Sequence, residues 1–173
     1  MEIPDSFTSY LIAAEDHRSP FHYGVDHIGI FRALFCRILN GETQGASTIE
    51  QQFVRVVTGD YSHSILRKLK EQMLAILLTK KRSKEDIAKA YLAIAYYGHN
   101  CAGTKGVESI LGNSIQQASE KQIILIVARL KYPKPSTNVV RWEGKIHHRA
   151  LYIKARHQRA TNKSRHRMLR TVA

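Results

Sequence analysis

The sequence predicts a mostly α-helical domain, and three observations carry that reading. Apolar residues recur at intervals of three and four along most of the chain. Ser and Asp residues stand before several of these runs, where helix caps belong. No alternating strand pattern competes with them. The chain has 173 residues, which suits one domain with room for two lobes, and 43% of them are hydrophobic, enough for a core.

The elements follow in order. Phe7, Leu11 and Ala14 fall at helical spacing after Pro4-Asp5. Asp26 is placed to cap a helix that buries Ile30, Ala33, Leu34 and Ile38 and that Asn40-Gly41 ends. Ser47 and Glu50 fit the capping box S/T-x-x-E, with Ile49, Phe53, Val56 and Val57 on one face of the helix that follows. Thr58-Gly59-Asp60 breaks that helix. Leu66, Leu69, Met73, Ile76 and Leu77 mark a strong amphipathic helix whose opposite face carries Arg67, Lys68, Lys70 and Glu71. Ser83 with Asp86 starts another, burying Ile87, Tyr91 and Ile94. Residues 98–106 read as a loop. Ser119 and Gln122 form a second capping box, before Ile123, Ile126, Val127 and Leu130. The run "YPKPSTN" is a stiff turn. From about Val140 a basic helix sets Trp142, Ile146, Ala150 and Ile153 on its apolar face. The tail beyond it, with Arg156, Arg159, Lys163, Arg165, Arg167 and Arg170, is expected to fray. The chain thus divides into a domain at 1–155 and a basic tail at 156–173, with no internal repeat and no linker.

Charge bounds the partners. Lys and Arg number 27 against 14 Asp and Glu, a formal net charge of +13. Such a surplus implies an anionic partner: nucleic acid, an anionic membrane surface or a phosphorylated substrate. Cys36 and Cys101 form no CxxC and read as free thiols, with a single disulfide as the alternative. No run approaches the ~20 apolar residues that span a bilayer. The first residues lack the basic-then-apolar order of a signal peptide. The expectation is either a protein that is not exported or a catalytic piece separated from its anchor.

Three stretches are rich in chemistry-bearing residues. "AAEDHRSPFHYGVD" brings Glu15, Asp16, Arg18, His22 and Asp26 together where a helix runs into adjacent acids, a mildly unfavourable place for them. Glu71 shares a helix face with Arg67 and Lys68. Taken alone, that reads more readily as a solvated ion-pair face than as a cleft. "QGASTIEQQFVR" has its capping box and a helix N-terminus suited to anions. The nine His residues complete no metal-ligand set, there is no HExxH, and "GTKG" is too short for a phosphate loop. The basic helix lacks the interleaved aromatics of a single-strand binder, and no nucleic-acid partner is expected.

In order and spacing these stretches resemble glycosyltransferase family 51, the peptidoglycan glycosyltransferases or transglycosylases of monofunctional enzymes and class A penicillin-binding proteins. Glu15, Asp16, His22, Gly24 and Asp26 match the first motif of that family, and Arg32-Ala33 its downstream R-A. Gly45, Ala46, Ser47, Thr48, Ile49, Gln51 and Gln52 match the second. Arg67, Lys68 and Glu71 match the third. Lys84, Ile87, Tyr91 and Leu92 partly meet the fourth, and "GVES" from Gly106 begins the fifth. The resemblance runs from about Pro4 to Pro135. Ser19, Glu50, Thr79 and Ala93 depart from it, and Leu111-Gly112 stand where Tyr-Phe-Gly is usual.

The resemblance implies a lysozyme-like, two-lobed helical domain with a central cleft between a larger lobe and a smaller, membrane-facing jaw. It implies polymerisation of lipid II into glycan strands, by inverting transfer with undecaprenyl pyrophosphate as leaving group. Glu15 would take the proton of the acceptor hydroxyl. Glu71 would orient cations around the pyrophosphate, among Arg18, Arg32, Arg55, Arg67 and Lys68. His22, Asp26, Ser47, Thr48, Gln51 and Gln52 would shape the cleft. Glu50 is assigned to its capping box and not to catalysis. No cofactor is required, the alternative being a divalent cation, Mg or Mn, held near the pyrophosphate. The implied partners are lipid II, the growing glycan chain, an anionic membrane surface and a moenomycin-type inhibitor. The implied location is the outer, periplasmic face of the bacterial cytoplasmic membrane. The competing readings are a lysozyme-like hydrolase or lytic transglycosylase, and a non-catalytic relative that binds lipid II or membrane.

Overall fold

The computed structural model describes residues 3–41 and 45–172, with side chains described through residue 165. Arg167 and Arg170 of the basic tail therefore lie outside the described side chains. The described residues form eight α-helices: α1 (Asp5–Glu15), α2 (His27–Asn40), α3 (Ile49–Thr58), α4 (Ile65–Lys81), α5 (Lys84–Ile94), α6 (Gly103–Leu111), α7 (Glu120–Lys131) and α8 (Val139–Val172). Two short strands, β1 (Tyr96–Gly98) and β2 (Cys101–Ala102), pair antiparallel with Tyr96 opposite Ala102. The mostly α expectation is met. The chain divides into two compact units, one of residues 1–17 and 92–173, the other of residues 18–91.

The first unit is built on α1, α7 and α8, which pack on one another. Phe7 and Leu11 from α1, Ile126 and Val127 from α7 and Ile153 from α8 are almost wholly buried, as the periodicity requires. The capping box of α7 forms as read: Ser119 accepts from the Gln122 backbone, and the Gln122 side chain accepts from the Ser119 N–H at 2.9 Å. Tyr97 is fully buried and donates to the Leu92 carbonyl at 2.6 Å. The stretch read as a loop instead holds the β1–β2 pair and the start of α6, elements too short to show a period. α8 runs unbroken past Ala155, so the expected fraying gives way to helix through Val172. Cys36 and Cys101 are free thiols.

In the second unit Ile49, Ile87 and Tyr91 are buried as read, but on α2 and α4 the reading of the faces reverses. α2 buries only Gly29 among its residues, while Leu34 and Ile38 are 53% and 72% exposed. On α4 the apolar stripe of Leu66, Leu69, Met73 and Leu77 faces outward, and the buried residues are Glu71 and Ala75. α4 packs on α3 through this second face. Burying a carboxylate there is tolerable because cations surround it. On α3, Val57 is likewise exposed, and Val54 takes the buried place.

The start of α3 is displaced by one residue from the expected one. Thr48, not Ser47, is the N-cap: its hydroxyl accepts from the Gln51 N–H, and the Gln51 side chain accepts from the Thr48 N–H at 3.2 Å. T-x-x-Q satisfies the box as well as S-x-x-E does. The shift leaves the Ser47 hydroxyl available elsewhere, and it carries Glu50 into the interior. Among the described residues, no helix is long and apolar enough to cross a membrane.

Candidate active site

Glu71 is the focus of the second unit. It lies on the inner face of α4 and is 3% exposed. Arg55, one turn before the end of α3, reaches it with two donors: Nε to Oε2 at 3.1 Å and Nη2 to Oε1 at 3.0 Å. Lys68, three residues earlier on α4, donates to Oε1 at 2.8 Å, and Arg67, four residues earlier, binds Oε2. Both carboxylate oxygens are thus shared among three cations. Ser47 joins the same group, accepting from Lys68 at 3.0 Å and from Arg55 at 3.5 Å. Burial pushes the Glu71 carboxyl up, but Arg55 and Lys68 outweigh it and hold the group below its ordinary value. The solvated-face reading of this helix is therefore overturned, and the cause is the packing of α3 against it.

Arg18 and Asp26 form a second pair in the same unit at 2.9 Å. Burial raises the Asp26 carboxyl, yet the Gly29 backbone N–H and Arg18 prevail and lower it. Beside them lies a third group around Lys84, at the start of α5. Its ammonium bonds the Ser19 carbonyl, lies 3.2 Å from His22 Nδ1 and pairs with Glu50 at 3.3 Å. Glu50 is 1% exposed, and its Oε2 has no hydrogen-bond partner. Its assignment to a capping box is corrected: it is the buried anion of an ion pair.

Thr48 and Gln51 are buried and occupied by their box. The Thr48 hydroxyl also donates to the Gly24 carbonyl at 2.7 Å, which ties the first-motif turn to the start of α3. Gln52 accepts from the Tyr91 hydroxyl at 2.8 Å. Arg32 stands on the exposed surface of α2. The structure thus gathers Ser47, Arg55, Arg67 and Lys68 at Glu71, pairs Arg18 with Asp26, and leaves Arg32 apart.

Glu15 belongs to the other unit. It ends α1 half-buried, and its carboxylate is bound by Arg149 from the first third of α8. Arg149 is 9% exposed, donates to the Ala14 carbonyl at 3.3 Å and lies 4.8 Å over the Tyr152 ring. The sequence reading missed Arg149. It lies 134 residues from its partner, and on its own helix it looks like one more basic residue in a basic run.

Comparison with known proteins gives the family. A family model described as Transglycosylase matches residues 1–158. Penicillin-binding protein 1A of Escherichia coli is 34% identical over 134 residues, which cover 76% of this chain and 16% of that protein. The biosynthetic peptidoglycan transglycosylase of Vibrio parahaemolyticus is 35% identical over 124 residues, covering 71% of this chain and 55% of that protein. Penicillin-binding protein 1F of Bacillus subtilis is 37% identical over 103 residues. The chain thus spans about half of the transglycosylase relative and a small part of the penicillin-binding proteins. With the motif residues grouped as described and the family model matching nearly the whole chain, the protein belongs to the transglycosylase family.

Proposed function

We propose that this chain is a peptidoglycan glycosyltransferase that polymerises lipid II. The observation that supports it best is the burial of Glu71 among Arg55, Arg67 and Lys68, with Ser47 alongside. A hydrolase of finished glycan has no use for such a cluster, because its leaving group is a sugar. A pyrophosphate leaving group gains negative charge as its bond to the sugar breaks, and fixed cations stabilise that charge.

The reaction divides between the two carboxylates. Glu15 takes the proton of the acceptor 4-hydroxyl as that oxygen attacks the anomeric carbon of the donor. The bond to the pyrophosphate breaks on the opposite face, undecaprenyl pyrophosphate leaves with the electron pair, and the linkage inverts. Arg149 fixes the Glu15 carboxylate against the end of α1. Glu71 serves as the counter-ion that keeps three mutually repelling cations together and aimed. Arg18, His22, Asp26 and Gln52 shape the acceptor and donor positions.

Both Glu71 oxygens already accept from cations, so that carboxylate fits no divalent ion without losing them. We therefore assign charge neutralisation to the side chains, and activity should survive chelation. A moenomycin-type inhibitor, which carries a phosphate, would compete for the same cations. The second unit also exposes Phe31, Leu34, Phe35, Ile38 and Leu39 from α2 and Leu66, Leu69, Met73 and Leu77 from α4. Apolar faces of this size suit the surface of a lipid bilayer, with the basic surplus drawn to anionic headgroups. The outer face of the cytoplasmic membrane, where lipid II is consumed, is the place this reading gives it.

The test offers lipid II and purified cell-wall sacculi separately. Growth of glycan polymer from lipid II, with no release of fragments from sacculi and no loss on adding chelator, is the expected result. Release from sacculi without polymer would make the chain a lytic enzyme. Lipid II binding without turnover would make it a non-catalytic relative.

A further inference from the structure

Arg129, on α7, is a buried cation that the proposed chemistry leaves unused. It is 8% exposed, and its Nε has no hydrogen-bond partner. Among the described residues no carboxylate pairs with it. A guanidinium removed from water without a counter-charge is strongly disfavoured. Its neighbours are aromatic and cationic instead. Its Cζ lies 5.3 Å from the centre of the Trp142 ring, and Lys134 Nζ lies 6.0 Å from the same centre. Tyr132 accepts from the Trp142 indole N–H at 2.8 Å, and Lys145 Nζ lies 5.9 Å from the Tyr132 ring. Burial pulls the Arg129 guanidinium below its ordinary value, and only the nearby Cys101 acts the other way. Glu143, the acid next to Trp142 in the chain, is exposed.

Ring faces attract cations weakly and do not neutralise them. Cations converging on one ring system, one of them buried and unpaired, call for an anion. A guanidinium fork also matches the oxygens of a phosphate. We propose that Arg129 and Lys134, with Trp142 as a wall, form a phosphate-binding site in the first unit. The phosphate comes either from a soluble ion or ester, or from a phospholipid headgroup. The inference does not rest on the glycosyltransferase reading, and its test does not involve lipid II.

Trp142 is the only tryptophan of the chain, so its emission reports on the site. The protein is titrated with inorganic phosphate against chloride at constant ionic strength. In a second arm it is titrated with phosphatidylglycerol vesicles against phosphatidylcholine vesicles. A saturable change with phosphate identifies a soluble ligand, and a change with phosphatidylglycerol alone identifies a headgroup. In either case Arg129→Leu should weaken the response about tenfold or more. If that variant does not fold, phenylglyoxal labelling of the wild type replaces it, and the effective probe must protect Arg129. No saturable change with either probe, an equal response in Arg129→Leu, or an unprotected Arg129 overturns the proposal.

Discussion

Replacing Glu71 by Gln keeps the shape of the side chain and removes its charge, leaving Arg55, Arg67 and Lys68 facing one another. Removing one partner of a buried ion pair costs roughly 3–5 kcal/mol. Here the freed cations are not sealed in, since the Arg55 and Lys68 side chains keep 28% and 32% of their exposure. Water screens part of their repulsion, which brings the cost to about 2–3 kcal/mol. For a chain of this size that is a fall in Tm of roughly 4–12 °C, read by circular dichroism at neutral pH and low salt. The pH dependence gives a second signature. The folded state holds the Glu71 carboxyl below its ordinary 4.5. Its stabilisation is therefore fully present above that value and is lost as pH falls through the folded one. Wild type should lose stability on acidification below about pH 4.5 more steeply than Glu71→Gln does. A Tm change under about 2 °C, with parallel acid profiles, would mean an ordinary surface pair and would refute the reasoning.

Other perturbations test neighbouring claims. Lys84→Met strands Glu50 in the interior and should cost about 2–4 kcal/mol in urea unfolding; adding Glu50→Gln should recover at least half, and no recovery would deny that Glu50 is a buried charge. Gly24 has φ +85°, and a Cβ there would lie 2.5 Å from the Ala75 carbonyl oxygen. Gly24→Ala should therefore lower stability by more than about 2 kcal/mol, strain and clash together, and an unchanged unfolding midpoint would contradict it. Burial and its bond to Glu120 push the Tyr10 hydroxyl up to about 12 from 10.0. The stability it lends is present below pH 10.0 and is lost as pH rises toward 12. Ultraviolet titration should show a late tyrosine phase that Tyr10→Phe removes, and a phase that persists in the variant counts against it.

Much of the frame was legible in the sequence because its signals are local. The face of α1, the Ser119 box and the glycine ends of α2 and α3 each depend on residues within one or two turns. The failures have two physical causes. Periodicity finds an apolar stripe but not its direction, and the inward rule of a water-soluble globule put Glu71 outside on α4 and Leu34 inside on α2. Contacts between distant segments leave no local trace. The Arg149–Glu15 pair and the Lys84–Glu50 pair were invisible for that reason, although Glu50 is one of the residues that depart from the family pattern. The displaced cap of α3 is an intermediate case. Ser47 and Thr48 both satisfy the box, and contacts outside it separate them: Arg55 and Lys68 take the Ser47 hydroxyl, and the Thr48 hydroxyl also bonds the Gly24 carbonyl.

The central claim is that Glu15 acts as the base and that Glu71 holds the cations for a pyrophosphate leaving group. Polymerisation of lipid II by wild type, Glu15→Gln and Glu71→Gln, measured side by side, tests it most directly. The account predicts an active wild type and a loss on the order of a hundredfold or more in each variant, with the Glu15→Gln protein still folded. An inactive wild type, or a Glu15→Gln variant with full activity, would contradict it.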